Sequence, residues 1–315
     1  MSKPLSIIID TDPGQDDAIA LLLAAASPEL ELLGVTTVAG NVPLALTTRN
    51  ARIVMELAGR RDVPICAGAD APLGGVPLVT AEHVHGDNGL NGIELPEPTL
   101  PVDPRHAVDF IVQTLREREP GTVTLCPLGP LTNIALALRQ APDIAPRIRR
   151  IVLMGGGFFE GGNITPAAEF NLYVDPQAAH EVFISGVPIT MAPLDVTHEA
   201  LTTAKRIDAI RRLGNRAGIA VAAWMEFFER HDEEKYGQDG GPLHDPCVIA
   251  FLLRPELFSG RVCNVRIEIH SELTRGMSVV DWWGVTGLPA NAQVLRHVDS
   301  DGFFGLLTER LARLG

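Results

Sequence analysis

Four aspartates fall within eight residues near the start of the chain: Asp10, Asp12, Asp16 and Asp17, in the run IIIDTDPGQDDAIALLL. Carboxylates packed this closely repel one another unless positive charge lies among them. A hard divalent cation, which takes oxygen ligands from carboxylates and carbonyls, is the simplest such charge. Asp10 and Asp12 are two apart and share one side of a strand end. Asp16 and Asp17 open a helix, where acidic groups also complement the helix dipole. Further oxygen donors have to come from elsewhere in the chain. His244-Asp245-Pro246 enters an apolar helix and offers one, although an Asp there also reads as a helix cap. Asn163, Glu169 and Asn171 sit in a small, glycine-rich polar stretch and carry the mix of acceptors and donors that sugar hydroxyls need. Gly155-Gly156-Gly157 suggests a phosphate cradle, but no lysine lies near any of these loops. His85 lies in a long loop that reads either as an active-site lid or as plain surface. His83, beside it, fits no role.

These residues need a frame. Short apolar runs alternate with helical patterns: strands at 5–9, 32–38, 63–66, 122–126, 151–154 and 188–191, and helices at about 16–26, 44–57, 107–116, 131–138 and 176–184. The alternation predicts an α/β fold, a single domain over 1–315, with a mostly parallel central sheet and helices on both faces. The strands are continuous apolar runs, as expected of strands covered on both sides. The C-terminal third reads as more helical, from 201 to 230 and 248 to 253, with two further strands at 262–269 and 277–283. In such sheets ligands bind beyond the carboxyl ends of the strands. The polar loops fall there repeatedly: 10–17, Ala39-Gly40-Asn41, Leu128-Gly129 and the stretch from Gly155 onward.

Composition narrows the function. The net charge is −13, and lysine occurs only at Lys3, Lys205 and Lys235. Nucleic acid and anionic membranes call for a basic face, so neither is an expected partner. MSKPLSIIID runs straight into aspartates and does not read as a signal peptide, and no apolar run reaches the length of a membrane span. Cys66, Cys126, Cys247 and Cys263 lie far apart with no CxxC pair, which suits small buried residues in a reducing compartment. A soluble, cytoplasmic, globular protein is expected.

Seven blocks carry a family resemblance. DTDPGQDDAIALLLA at Asp10–Ala24 looks like the signature of the nucleoside hydrolases, the inosine–uridine-preferring N-ribohydrolases. VAGN at Val38–Asn41, HGDNGL at His85–Leu90, PLGPLTNIALAL at Pro127–Leu138, VLMGGG at Val152–Gly157, AEFNLYVDPQAA at Ala168–Ala179 and LHDPC at Leu243–Cys247 follow in the family's order. The resemblance implies a Rossmann-like core and one calcium ion held by Asp12, Asp17, the carbonyl of Leu128 and Asp245, with Asp10 in support. It implies ribose contacts from Asp16, Asn41, Met154, Asn163, Glu169 and Asn171, with His85 on the base side. It also implies a homodimer or homotetramer acting in nucleoside salvage.

The implied reaction is hydrolysis of a ribonucleoside to ribose and free base. Asp12 would activate the water and His244 would protonate the departing base. The expected substrates are pyrimidine nucleosides or a broad range. Phe228, His231 and Tyr236 are candidates to touch the base, whereas Trp224 and Phe227 fit core packing equally well. Two rivals remain at this stage. Asp10-Thr11-Asp12 has the spacing of a phosphohydrolase nucleophile, and the same pocket could serve a non-catalytic, calcium-dependent nucleoside binder.

Overall fold

The computed structural model describes residues 3–236 and 240–315, with 229–236 described by backbone alone. In chain order the first half holds β1 (Leu5–Thr11), α1 (Gln15–Ala25), β2 (Leu30–Thr37), α2 (Leu44–Leu57), β3 (Ile65–Ala67), α3 (Glu82–His85), α4 (Ala107–Glu117), β4 (Val123–Pro127), α5 (Thr132–Gln140) and β5 (Ile148–Met154). Then come α6 (Phe170–Val174), α7 (Pro176–Phe183), β6 (Ile189–Ala192), α8 (Leu194–Thr197), β7 (Leu201–Thr202), α9 (Ala204–Arg211), α10 (Arg216–Tyr236) and β8 (Gly241–Pro242). The chain ends with α11 (Pro246–Leu253), β9 (Phe258–Ile267), β10 (Ser278–Asp281), β11 (Ala292–Val298) and α12 (Ser300–Leu311).

Nine strands form one sheet in the order β10-β9-β11-β6-β5-β4-β1-β2-β3. The pairs from β3 through to β11 are parallel, and β9 runs antiparallel to both β11 and β10. The run 3-2-1-4-5-6 is the doubly wound order, in which the order of strands across the sheet reverses at β1 and β4 and opens a crevice there. β1 shows why both faces are covered. Ile7 and Ile9 belong to a core layer with α1, α2, α10, α11 and α12, while Ile8 joins the opposite layer with α4, α5 and α7. All three isoleucines are fully buried, each contributing roughly 1.5–3 kcal/mol of transfer free energy. α1 is buried along its length from Gln15 to Ala24 and packs against α2, α10, α11 and α12. Beyond its acidic first turn the helix is apolar all round, and such a helix has to lie inside the protein.

The sequence pattern falls short in the C-terminal third. The helical reading of 201–230 breaks into β7, α9 and α10. Gly214, at φ +69°, turns the chain there, and Asn215 caps the next helix by accepting from Gly218 N–H at 2.7 Å. β7 pairs antiparallel with β8, and Leu243 N–H donates to Ala200 O at 3.0 Å, pinning the chain just before His244. β11, with no assignment from the sequence, lies inside the sheet between β6 and β9. Its Arg296 and His297 interrupt the apolar run that marks the other central strands.

Candidate active site

The loops after β1, β2, β4 and β5 and the entry to α11 meet at the crevice. They enclose a cleft at the carboxyl ends of the parallel strands, where ligands bind in such sheets. Asp16, Asn41, His85, Leu128, Met154, Asn163, Glu169, Asn171, His244 and Asp245 all line it. Asp10, Asp12 and Asp17 are buried in the same loops but absent from the lining.

The acids form a nest. Asp10 continues the Ile8 side of β1, and its Oδ1 accepts from Thr36 Oγ1 at 2.5 Å and from Asn133 Nδ2, on α5, at 2.8 Å. Asp12 Oδ2 accepts from Asn41 N–H at 2.7 Å. Asp17 accepts from the Thr11 hydroxyl and from Gly14 N–H at 2.9 Å. Asn41 spends its side-chain amide on Asp12 O at 3.1 Å and Asp17 Oδ2 at 3.2 Å. Two glycines make room for Asp12. A Cβ at Gly40 would come within 2.0 Å of Oδ2, and one at Gly129 within 2.1 Å of Oδ1.

Burial pushes all five carboxyls upward. Asp10 and Asp16 rise to about 7, the latter also because Asp17 is near. Asp12 rises well above the usual range, from burial and then the Asp17 charge. Asp17 is raised by burial against the opposing Thr11 and Gly14 bonds. Asp245 rises from burial and from Asp16, Asp17 and Asp12. Carboxylate oxygens of Asp16, Asp17 and Asp245 lie within 4.8 Å of one another, close enough to share a metal ion. Asp12 Oδ1, Asp245 Oδ1 and Asp10 Oδ2 are buried with no hydrogen-bond partner. Uncompensated buried oxygens among like charges fit a hard cation. This cluster contains Asp16, which the sequence resemblance implied as a ribose contact.

Above the nest, Glu169 caps α6. Its Oε1 accepts from Asn171 N–H at 2.9 Å, and its Oε2 from Gly156 N–H at 2.9 Å and Leu172 N–H at 3.3 Å. Burial lifts its carboxyl to about 7 against these donors. Asn171 Nδ2 donates to Leu128 O at 2.6 Å and reaches Met154 O at 3.4 Å. Asn163 Oδ1 accepts from Phe170 N–H at 2.8 Å. The glycine run at 155–157 is no phosphate cradle. Gly156 N–H serves Glu169, and Gly157 N–H donates to Ser278 Oγ at 2.9 Å. Among the described residues no lysine or arginine lines the cleft.

His244 Nδ1 lies 2.7 Å from Thr197 Oγ1. The Phe228 ring stands between the two cleft histidines, 5.8 Å from His85 and 6.2 Å from His244, centroid to centroid. Ala81, His83, Val84, Ile164 and Phe170 complete the upper wall. Sequence reasoning set His83 aside and missed the other four. The one signal was their place within two residues of His83 or Asn163 or beside Glu169. The His231 and Tyr236 side chains lie outside the described residues, and Trp224 is core.

Residues 7–305 match the family "Inosine-uridine preferring nucleoside hydrolase". The chain belongs to that family. It is 51% identical over 314 residues to the pyrimidine-specific ribonucleoside hydrolase RihA of Photobacterium profundum, covering 99% of each chain. An uncharacterized protein of Schizosaccharomyces pombe is 60% identical over 310 residues, 98% of this chain and all of that one. Among solved structures, a purine-preferring ribonucleoside hydrolase from Gardnerella vaginalis superposes with a TM-score of 0.92 at 33% identity, covering 98% of both chains. This nucleoside hydrolase thus has the expected α/β fold and enzyme class, and the phosphohydrolase and binder readings fall away. Among its described residues no helix is long and apolar enough to cross a membrane.

Proposed function

We infer that this enzyme hydrolyses pyrimidine ribonucleosides, with calcium held in the acid nest. The observation that carries the reading is a set of buried carboxylates with unpartnered oxygens at the floor of a cleft free of lysine and arginine among the described residues. The pyrimidine preference is supported by the 51% identical relative. Oxygen-only donors in an irregular cluster favour calcium over the smaller, more demanding magnesium. Asp12, Asp17, Leu128 O and Asp245 would hold the ion, with Asp16 at its edge and Asp10 bracing the nest from behind. When bound, the cation supplies the charge that orients the ribose diol and acidifies a water.

The chain's own groups do the rest. Asp12 Oδ2 is fixed by Asn41, which leaves Oδ1 to take a proton from the attacking water. Glu169, Asn171, Asn163 and Asn41 hold the sugar beside Asp16 and Met154. The surrounding carboxylates favour the positive charge that develops on the sugar as the bond to the base stretches. His244 gives its proton to the departing base, and His85 lies on the base side of the cleft. The four cysteines are free thiols and buried, which suits a cytoplasmic site of action. Exposed Trp283, Val285 and Leu288 near β10 give a homodimer or homotetramer apolar contact surface.

The deciding test is ribose release from uridine, cytidine and inosine, before and after chelation, with calcium and magnesium restored separately. Release from uridine and cytidine that stops with chelator and returns with calcium supports the reading. Undiminished release without any metal overturns it.

A further inference from the structure

We propose that Asp195, which lies outside the cleft lining, is a positioning residue for sugar recognition: its carboxyl fixes the loop after β5 that carries Asn163. The inference rests on the nucleoside-hydrolysing reading of this cleft and deepens it by naming what holds the sugar side in shape.

Asp195 belongs to the one-turn helix α8 and is 7% exposed. Its oxygens are spent on the backbone of a loop 35 to 37 residues earlier. Oδ2 accepts from Phe158 N–H at 2.9 Å, and Oδ1 from Phe159 N–H at 2.9 Å and Glu160 N–H at 3.3 Å. Successive N–H groups turned to one side form a concavity that suits a carboxyl group. The amides just before them are placed as well. Gly155 N–H donates to Ala192 O at 3.2 Å, Gly156 N–H to Glu169 Oε2 at 2.9 Å and Gly157 N–H to Ser278 Oγ at 2.9 Å. Ser278 Oγ donates back to Gly157 O at 2.8 Å. Of these consecutive donors, the last three rely on one side chain. The side chains of Phe159 and Glu160 are exposed, yet their amides have a buried partner. The held stretch reaches Asn163 by contact. A Cβ at Gly157 would stand 2.1 Å from Gly161 O, so the loop closes on itself two residues before Asn163. Asn163 N–H then donates to Ala168 O at 3.2 Å, and its Oδ1 accepts from Phe170 N–H at 2.8 Å.

D195N keeps the size of the group but turns one end of it into a donor that faces a donor. Backbone hydrogen exchange in the substrate-free protein reads the loop directly. The amides of Phe158 and Phe159 should exchange slowly in the wild type and at least about tenfold faster in D195N, with β4 and β5 unchanged. KM for uridine and for cytidine should rise together by about tenfold, with kcat kept within about threefold. In an N163A background the same substitution should cost less than about twofold in kcat/KM, because the contact it serves is already gone. A folded D195N with unchanged exchange overturns the proposal, as do losses that add to those of N163A or fall mainly on kcat. Should D195N fail to fold, D195S, too short to reach all three amides, takes its place. Rapid wild-type exchange at Phe158 and Phe159 overturns the proposal without any variant. Failure of the wild type to release ribose from any nucleoside sinks the parent reading instead, and leaves the exchange measurement to decide whether Asp195 holds the loop.

Discussion

The floor and the upper wall of the cleft are built by different means. The floor rests on the acid nest at the end of β1 and the start of α1, where Asp10, Asp12 and Asp17 each accept from backbone N–H, hydroxyl or amide donors. The upper wall comes from the one-turn helix α3, the loop before α6 and the long helix α10, and its members are His83, Val84, His85, Ile164 and Phe228. A rigid charged base beneath a more local, apolar rim separates two tasks. On the proposed function, the floor serves bond cleavage and the rim serves base selection. Changes at the floor should therefore act on turnover, and changes at the rim on affinity.

The largest effect should follow Asp12→Asn, which removes the proposed proton acceptor and a like charge together. We expect kcat for uridine to fall by at least about 10³-fold in steady-state assays. A loss no greater than that of a rim variant would erase the distinction. Next is His244→Ala. It should cost roughly 10²–10⁴-fold on uridine but less than about tenfold on a riboside whose leaving group is a stable phenolate. Equal losses on both substrates would remove His244 from the acid role.

The third effect is on stability. Asp10, Asp16 and Glu169 have folded-state values near 7, above the ordinary carboxylate range. Groups raised on folding give stability that is complete below their unfolded pKa and is lost as pH rises through the folded value. The chelated protein should thus melt lower at pH 8.5 than at pH 5.5, by at least about 3 °C, while added calcium flattens or reverses the slope. Calorimetric scans at the two pH values check this. A chelated protein more stable at pH 8.5 would mean that the acids are compensated without metal. Smallest is Phe228→Ala, which should raise KM for uridine about tenfold with kcat nearly kept. A matching fall in kcat would place Phe228 with the floor.

The same division explains what the sequence makes legible. Floor residues sit in local runs whose chemistry is plain, such as four aspartates at one strand-to-helix turn. The glycines beside them, Gly40 and Gly129, are required by contacts of 2.0 and 2.1 Å. Rim residues such as Val84, Ile164 and Phe170 are ordinary apolar side chains, and only the packing of distant loops gives them a role. That Asp16 comes within ligand distance of both Asp17 and Asp245 depends on rotamers that spacing cannot convey. β11 escaped notice for a related reason. Charged Arg296 and His297 break its apolar pattern, and its place is set by β6 and β9.

Asp16 and Asp17 belong to the first turn of α1, whereas Asp245 leads into α11, far along the chain. An emerging polypeptide carries the early acids long before the late one exists. Until α11 docks on α1, there is no complete set of oxygens for a cation to seize. On the proposed site, metal capture closes folding: it seals a finished molecule rather than seeding one, and a chain truncated before α11 should gain no thermal protection from calcium.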